Sequence, residues 1–454
     1  MNQRTSDIEH HDYSHRAVWS IALPMMLAAV SAPLLGLVDT AVMGHLEGPW
    51  FLAAVAAGAS VFSVLYMGLN FLRMGTTGIA AQAFGARDTR AIADSLVQPL
   101  IVAVVLASIM LLLQTPIADI AISLLGTSDT ATPYLREYYA LRIWSAPATL
   151  ANLVIIGWLL GMQNARGPLL ITVITNGVNV LLDLWFVIGL GMEVRGVALA
   201  TLIAEYLGLA TGLWLVMLEL RRRTLRWVPA DWRQIITYRR LFAINIHLFF
   251  RSMALMFTFA FITAQGARLG DTILAANAVL MNFLYFYAYA QDGIAHAAEA
   301  LTGKALGDRD IAGLRLAVTR CLFWTGVFTV LFTIVYWLSG ENIIALITDI
   351  QVVRDIAGRY LFWLWILPVV SAWCFLYDGV YVGLTKSREM MMVMAGTVLG
   401  VFLPAWYGLL HGLKIDGNHA LWAALMLFMT IRSAAMHLWY RRMRAQDASA
   451  AGVN

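Results

Sequence analysis

The sequence predicts an all-α polytopic membrane protein, in which twelve transmembrane helices form two six-helix lobes related by a parallel internal repeat. Three observations lead to this prediction. Of the 454 residues, 60% are hydrophobic and only 13% are charged, whereas about 25% of the residues in a typical soluble domain are charged. Apolar runs long enough to cross about 30 Å of hydrocarbon recur from residue 17 to residue 440. The two halves of the chain also resemble each other.

The apolar runs place the predicted spans in order along the chain. Little strand is expected, because a segment in lipid must satisfy its own backbone hydrogen bonds. The predicted spans cover about 17–41, 52–78, 91–113, 138–162, 168–190, 195–219, 240–267, 273–300, 315–337, 357–383, 390–411 and 419–440.

The internal repeat aligns without a gap at an offset of 222 residues. Residues 52–88 begin LAAVAAGA and end QAFGARD, and residues 274–310 begin LAANAVLM and end KALGDRD. At the same offset GMQNAR (161–166) matches GLTKSR (383–388). Each half holds six spans, an even number, so both halves enter the membrane in the same sense. A pseudo-two-fold axis along the membrane normal is therefore expected.

The positions of Lys and Arg predict that both termini are cytoplasmic. Every second loop is rich in cations and the others hold only scattered ones, as the positive-inside rule requires. The predicted organisation is a cytosolic tail (1–15), a first lobe (16–220), a basic cytoplasmic linker (221–239), a second lobe (240–441) and a cytosolic tail (442–454). The net charge of +4 is explained by these loops, so no nucleic-acid partner is expected. Cys321 and Cys374 fall in predicted spans, which argues against a disulfide framework.

A polar stripe interrupts the fifth predicted span. Asn176, Asn179 and Asp183 are spaced i, i+3 and i+7, so they lie along one face of one helix. In the next span Thr201 and Glu205 are four residues apart and share a face. A carboxylate within a hydrocarbon-length helix costs several kcal/mol unless it is paired, hydrated or protonated. These residues are therefore functional candidates.

The depth of each polar residue follows from span direction at about 1.5 Å per residue. Arg136 and Arg142 are placed at the mouth of span 4, from which they can reach water. The sequence thus predicts an uncompensated acidic cluster that takes up a proton or a small cation. Simple hydrogen bonding between spans remains the alternative. The cluster lies in the outer half of the first lobe and consists of Asp39, Asn179, Asp183, Thr201 and Glu205.

The second lobe shows a different pattern. Arg251, Asp292 and Asp378 fall in its inner half. Opposite charges at one depth predict a buried ion pair, which favours a packing or gating network over a binding site. In span 1, Pro24 removes a backbone hydrogen bond and predicts a kink or hinge, although transmembrane helices tolerate proline.

These features together resemble the MATE (multidrug and toxic compound extrusion) family, and in detail its DinF-like branch. The resemblance runs from about residue 16 to residue 442, and its specific parts are LPMMLAAVSAPLLGLVDTAVMGHL in span 1, NGVNVLLDLWF in span 5 and the region of Thr201. It implies a secondary active antiporter without a cofactor, which exports amphipathic or cationic compounds by alternating access.

The resemblance also implies roles for individual residues. Asp39 matches the essential carboxylate of span 1, and Pro24 matches the bending point of that span. The polar cluster that exchanges hydrogen bonds with Asp39 is matched by Asn179, Asp183 and Thr201, and Tyr139 and Asn152 are weaker matches to polar residues lining the lobe. Proton coupling is implied, with sodium as an alternative ion at Asp39, Asn179, Asp183 and Thr201.

The sequence departs from the pattern of the family in the second lobe. Other branches place an acidic pair there; Asp378 matches one member, but the region around Arg251 has no matching glutamate. This favours ion coupling in the first lobe.

Two rival functions are weaker. A flippase for lipid-linked precursors needs a cationic cavity, against which the acidic first lobe argues. An intramembrane prenyl transferase needs two acidic motifs facing one Mg²⁺–pyrophosphate, and only Asn179 and Asp183 form such a motif. We therefore expect a transporter rather than an enzyme. It should be a monomeric, multi-pass protein of the bacterial inner membrane.

Overall fold

The computed structural model describes residues 13–44, 48–223 and 235–450, and within these ranges the regular structure is helical. A short helix, Gln114–Leu125, lies between spans 3 and 4. Twelve segments of the described chain are long and apolar enough to cross a membrane: His15–Met43, Pro49–Gly85, Thr89–Leu112, Thr132–Gly161, Arg166–Gly189, Glu193–Arg222, Leu241–Arg268, Asp271–Gly307, Ile311–Ile347, Gln351–Gly383, Ser387–Gly412 and Gly417–Met443. These are spans 1 to 12, which confirms the predicted fold class.

The internal repeat is present in the backbone as well as in the sequence. Spans 2 and 8 have the same length, 37 residues, and begin 222 residues apart. Span 3 begins after Asp88, whose carboxylate accepts hydrogen bonds from the first turn, and span 9 begins after Asp310, which caps its helix in the same way. Arg87 and Arg309, the residues before these caps, both have positive φ (56° and 58°). Equivalent residues therefore make equivalent turns.

Each half of the chain buries its own apolar side chains. One hydrophobic cluster centres on spans 2 to 6 and includes Trp158, and the other centres on spans 7 to 12 and includes Trp422. The first turns of span 1, including Val18 and Ile21, pack into the second cluster. The structure thus has two lobes. Span 1 belongs to the first lobe by its place in the chain, but its first turns pack against the second lobe.

The predicted domain boundaries remain predictions. The basic linker was expected at 221–239, and residues 224–234 of it lie outside the described residues. The same holds for residues 1–12 of the first predicted tail and 451–454 of the last.

Span 1 crosses between the lobes as one continuous helix. Gly293 of span 8 leaves room for Met26, whose Cγ would lie 2.3 Å from a Cβ at that glycine. Five residues after Met26, Ser31 Oγ accepts a hydrogen bond from the Nδ2 of Asn176 at 2.9 Å. Pro24 lies inside this helix, on the part that packs against the second lobe. A proline removes one hydrogen bond of the helix ladder, so the ladder is interrupted in the crossing segment.

In the described part of the chain, the hydrogen bonds that join the lobes lie on the side of the bundle where span 1 starts and span 12 ends, here called the terminal side. Gln82 donates to the carbonyl of Gly383 at 2.9 Å, and Gln163 donates to the carbonyl of Ala300 at 2.9 Å. Spans 2, 8 and 10 meet closely there.

Candidate ion and substrate site

Span 5 presents its polar stripe to the interior of the first lobe. Asp183 is fully buried and Asn179 is 1% exposed. The α-helix ends at Asp183 and continues as a π-helical stretch, Leu184–Gly189. Such insertions occur often at functional sites, and here the change of winding comes directly after the buried carboxylate.

Asn179 connects spans 5 and 6. The orientation of its amide that satisfies all neighbours has the nitrogen donating to Asp183 Oδ2 at 3.0 Å. The amide oxygen then accepts from the backbone N–H and the hydroxyl of Thr201, each at 3.1 Å. Three residues that the sequence singled out, Asn179, Asp183 and Thr201, therefore form one chain of contacts. Asn176, about one turn before Asn179, ties the same helix to span 1.

Asp39 of span 1 completes this group. Its carboxyl group lies within hydrogen-bonding reach of the carboxyl group of Asp183. The Oδ1 atoms of both residues are buried and accept no hydrogen bond from the described residues. Two ionised carboxylates have only acceptors to offer each other and repel. A proton between them would supply the missing donor and remove the repulsion.

The position of Arg142 shows that the expected absence of a compensating charge beside the acidic cluster is wrong. Span 4 begins at Thr132 rather than near residue 138, so Arg142 lies a further two turns inside the span and does not reach the mouth. Its guanidinium stacks 4.9 Å above the ring of Phe62 and donates to the hydroxyl of Tyr138. Only Arg136 behaves as expected: it is exposed and pairs with Asp119 at 2.8 Å.

Glu205 occupies a second position in the same lobe. The Nδ2 of Asn152 donates to Glu205 Oε2 at 3.2 Å and to its backbone carbonyl at 3.1 Å. Tyr139 is buried against Phe62, with ring centroids 5.3 Å apart, and its hydroxyl is buried without a partner among the described residues. Arg142 interacts electrostatically with Glu205 and with the Asp39–Asp183 pair, so it links the two positions.

Sequence reasoning missed the aromatic side chains that hold Arg142. Phe62 lies in span 2, far from the polar stripe in the chain. Tyr138 carried a usable signal, because it precedes Arg142 by one helical turn and so shares its face.

In the second lobe the network contains one more arginine than the sequence suggested. Asp378 pairs with Arg251, as well as with Arg432 of span 12 at 2.5 Å. Arg432 is 2% exposed. Both arginines contact the Oδ2 atom of Asp378, so this carboxylate already has two cationic partners. Asp292 interacts electrostatically with Arg251 and with groups nearer the terminal side.

A further ionic contact joins the lobes. The guanidinium of Arg73 in span 2 lies 3.4 Å from Glu299 of span 8, and His296 lies 3.2 Å from the same carboxylate. Asp292 faces both Arg73 and His296. The charges of the second lobe thus extend to the contact between the lobes, which suits a structural or gating role.

Comparison with known proteins decides the family. The MatE family matches residues 24–185 and 248–406, in both halves of the chain. The chain belongs to the MATE family.

Known MATE proteins resemble the chain over nearly its full length. DNA damage-inducible protein F of Escherichia coli (strain K12) is 46% identical over 431 residues, which cover 94% of this chain and 92% of that protein. Probable multidrug resistance protein NorM of Idiomarina loihiensis is 24% identical over 458 residues, covering 94% and 96%. The solved structure described as "Outward-facing conformation of a multidrug resistance MATE family transporter of the MOP superfamily" has a TM-score of 0.84 at 19% identity, covering 96% of each chain.

Family membership makes this chain a multi-pass membrane transporter, and its relatives are transporters rather than enzymes. In the described residues no group of three or more His, Cys, Asp and Glu side chains is arranged to hold a metal ion. The first-lobe group is of a different kind, with two carboxylates, an amide and a hydroxyl. Carboxylate, amide and hydroxyl oxygens are the ligand types that hard cations prefer.

Proposed function

We propose that this MATE protein is a secondary active antiporter of the bacterial inner membrane that exports amphipathic cationic compounds in exchange for protons. One observation carries the proposal. The carboxyl groups of Asp39 and Asp183 lie together inside the first lobe, and each has a buried oxygen without a donor among the described residues. A pair of this kind alternates between a protonated form and a form that attracts a cation.

The proposed cycle is a competition between proton and substrate. With the pair deprotonated, its charge attracts a cationic substrate into the lobe. Protonation from outside neutralises Asp39 and Asp183, and the hydrogen bonds through Asn179 and Thr201 rearrange. Span 1 then bends at Pro24 and the cavity shrinks. Proton and substrate drive the cycle only if each binds the two conformations with different affinity, by a few kcal/mol.

The contacts between the lobes support an assignment of conformation. If the termini are cytoplasmic, as the loop charges predict, the hydrogen bonds of Gln82 and Gln163 close the cytoplasmic side. The structure then represents the state that faces outward. Opening inward requires spans 2, 8 and 10 to separate, and it would expose the same first-lobe site to the cytoplasm. We expect the protein to do this as a monomer.

Sodium is the alternative coupling ion. Asp39, Asn179, Asp183 and Thr201 supply carboxylate, amide and hydroxyl oxygens, the ligand types that hard cations prefer. In this case sodium would replace the proton between the two carboxylates.

The test is substrate transport in proteoliposomes that contain the wild type or Asp39→Asn. A pH gradient is imposed without sodium, and then a sodium gradient is imposed at matched pH. Asp119→Asn is the matched control, because Asp119 is an exposed carboxylate paired with Arg136. Transport driven by the pH gradient and lost only in Asp39→Asn is the expected result.

Two results would change the proposal. Transport that needs sodium would keep the family and the site but replace the coupling ion. If neither gradient drives transport of a cationic dye, export by ion exchange is wrong, and a flippase for lipid-linked precursors becomes the better hypothesis.

A further inference from the structure

Arg142 is held in the first lobe by aromatic side chains rather than by a carboxylate. Its guanidinium lies 4.9 Å from the ring centroid of Phe62 and 5.4 Å from that of Tyr138, and it donates to the Tyr138 hydroxyl. A planar guanidinium can stack on an aromatic ring and donate a hydrogen bond at the same time. The guanidinium is therefore held inside the lobe by its contacts with Phe62 and Tyr138.

The hydrogen bonding around Arg142 is incomplete. Its Nε is buried without an acceptor among the described residues, and so is the hydroxyl of Tyr139. The acceptor atoms Asp39 Oδ1, Asp183 Oδ1 and Asn152 Oδ1 are buried in the same lobe and have no donor among the described residues. Buried polar groups in membrane proteins are normally paired, so these groups set this part of the lobe apart from ordinary helix packing.

The charges of the site can be counted. The titratable groups that face one another come from spans 1, 2, 4, 5 and 6, and they are Asp39, Tyr66, Tyr138, Arg142, Asp183 and Glu205. With the tyrosines neutral, three carboxylates and one guanidinium leave two negative charges. Glu205 accepts a hydrogen bond from the Asn152 amide, so we assign the two protons to Asp39 and Asp183, which leaves Glu205 balanced by Arg142. The site has no net charge in that state.

We propose that Arg142 is a specificity-determining residue that acts as a built-in counter-ion, so that the protonated site is electrically neutral and releases a cationic substrate. Without this arginine the doubly protonated site would keep the negative charge of Glu205 and would go on attracting the substrate. The arginine also opposes proton binding, since a positive charge stabilises the carboxylate form of its neighbours. It therefore sets the pH at which proton and substrate exchange.

This inference rests on the proposed function, and the test separates the two. Equilibrium binding of the lipophilic monocation tetraphenylphosphonium is measured over a range of pH with the purified full-length protein in detergent. The variants are Arg142→Gln, Arg142→Lys and Arg136→Gln. Arg136 is the matched control, because it lies in the same span but pairs with Asp119 at the surface. If Arg142→Gln does not fold, Arg142→Met replaces it, because methionine fits between the aromatic rings without a charge.

In the wild type, binding should fall as the pH is lowered. Loss of the arginine charge should move the midpoint of this fall to higher pH by about one unit, and should strengthen binding at alkaline pH about tenfold. The affinity for tetraphenylphosphonium is determined at each pH, so that the midpoint reports proton binding alone, which becomes tighter without Arg142. Arg142→Lys should lie close to the wild type in midpoint, and Arg136→Gln should be indistinguishable from it.

The possible failures are distinct. A wild type whose binding does not depend on pH would overturn the proposed proton exchange and this inference with it. A wild type that titrates normally, with the same midpoint in the neutral variants of Arg142, would overturn only the role of Arg142. An equal shift in Arg142→Lys and Arg142→Gln would also overturn it, because geometry rather than charge would then be responsible.

Discussion

Gly85 and Gly307 occupy equivalent positions in the two repeats, and each lies against the backbone of the opposite lobe. A Cβ atom on Gly85 would be 2.0 Å from the carbonyl oxygen of Lys304, and a Cβ atom on Gly307 would be 2.0 Å from the carbonyl oxygen of Gln82. Gln82 and Lys304 are themselves related by the repeat. The contact is therefore reciprocal, as expected where a two-fold axis passes through an interface.

This reciprocity predicts that either glycine controls closure of the terminal side. Gly85→Ala or Gly307→Ala should force the lobes apart, because backbone cannot move aside as a flexible side chain can. Overpacking of this kind costs about 1–3 kcal/mol, and it penalises only the closed state. The measurement is the rate at which a reporter cysteine, Ala300→Cys, reacts with a membrane-impermeant thiol reagent. Faster reaction is expected than in the parent protein.

Gly326→Ala is the matched control, since a Cβ atom there meets nothing within 4 Å. The native Cys321 and Cys374 are buried and should contribute little background. Equal labelling in Gly85→Ala and Gly326→Ala would contradict the prediction.

Asp378 should stabilise the second lobe without coupling transport to an ion. Removing one partner of a buried ion pair typically costs about 3–5 kcal/mol, and Asp378→Asn would leave both Arg251 and Arg432 without their carboxylate. We expect a large fall in melting temperature with an unchanged pH midpoint of substrate binding. Asp349→Asn is the control, because Asp349 is fully exposed beside Arg354 and such surface pairs are worth less than about 1 kcal/mol. A shifted midpoint with normal stability would instead assign Asp378 to coupling.

The twelve spans, the repeat and the polar stripe of span 5 could be predicted because lipid leaves few choices. A segment in hydrocarbon must be helical, so apolar length marks each span, and helical spacing alone places Asn176, Asn179 and Asp183 on one face. The depth of a residue in the membrane can also be estimated from span direction, and this estimate places Asp39 and Asp183 at one level.

Contacts between distant side chains could not be predicted in this way. Arg142 was misplaced because the start of span 4 was uncertain by a few residues, and one or two turns decide whether an arginine reaches water. Arg432 was missed because nothing near it in the chain indicates a partner in span 10. The packing between helices determines which charged side chains pair with each other, and this packing cannot be predicted from hydropathy.

Asn179 should be required for exchange, since it connects Asp183 with Thr201. Asn179→Leu keeps a similar volume but leaves the buried carboxylate and hydroxyl without this partner, at a cost of about 1–3 kcal/mol. We expect proton-driven transport in proteoliposomes to fall about tenfold or more, since about 1.4 kcal/mol is a factor of ten. Asn282→Leu is the control, because Asn282 is exposed and bonds only within its own helix. Transport by Asn179→Leu at the control rate would remove Asn179 from the mechanism.

Pro24 should matter for motion rather than for stability. Pro24→Ala restores the missing backbone hydrogen bond and replaces a residue that costs about 3 kcal/mol in a helix interior. The straight form of span 1 should become more favourable, so the variant should melt at the same or a higher temperature while transport falls several-fold. Pro49→Ala is the control, because Pro49 lies in the first turn of its helix, where no hydrogen bond is lost. Transport and stability that fall together would indicate damaged packing against span 8. Unchanged transport would show that span 1 does not bend at Pro24 during the cycle.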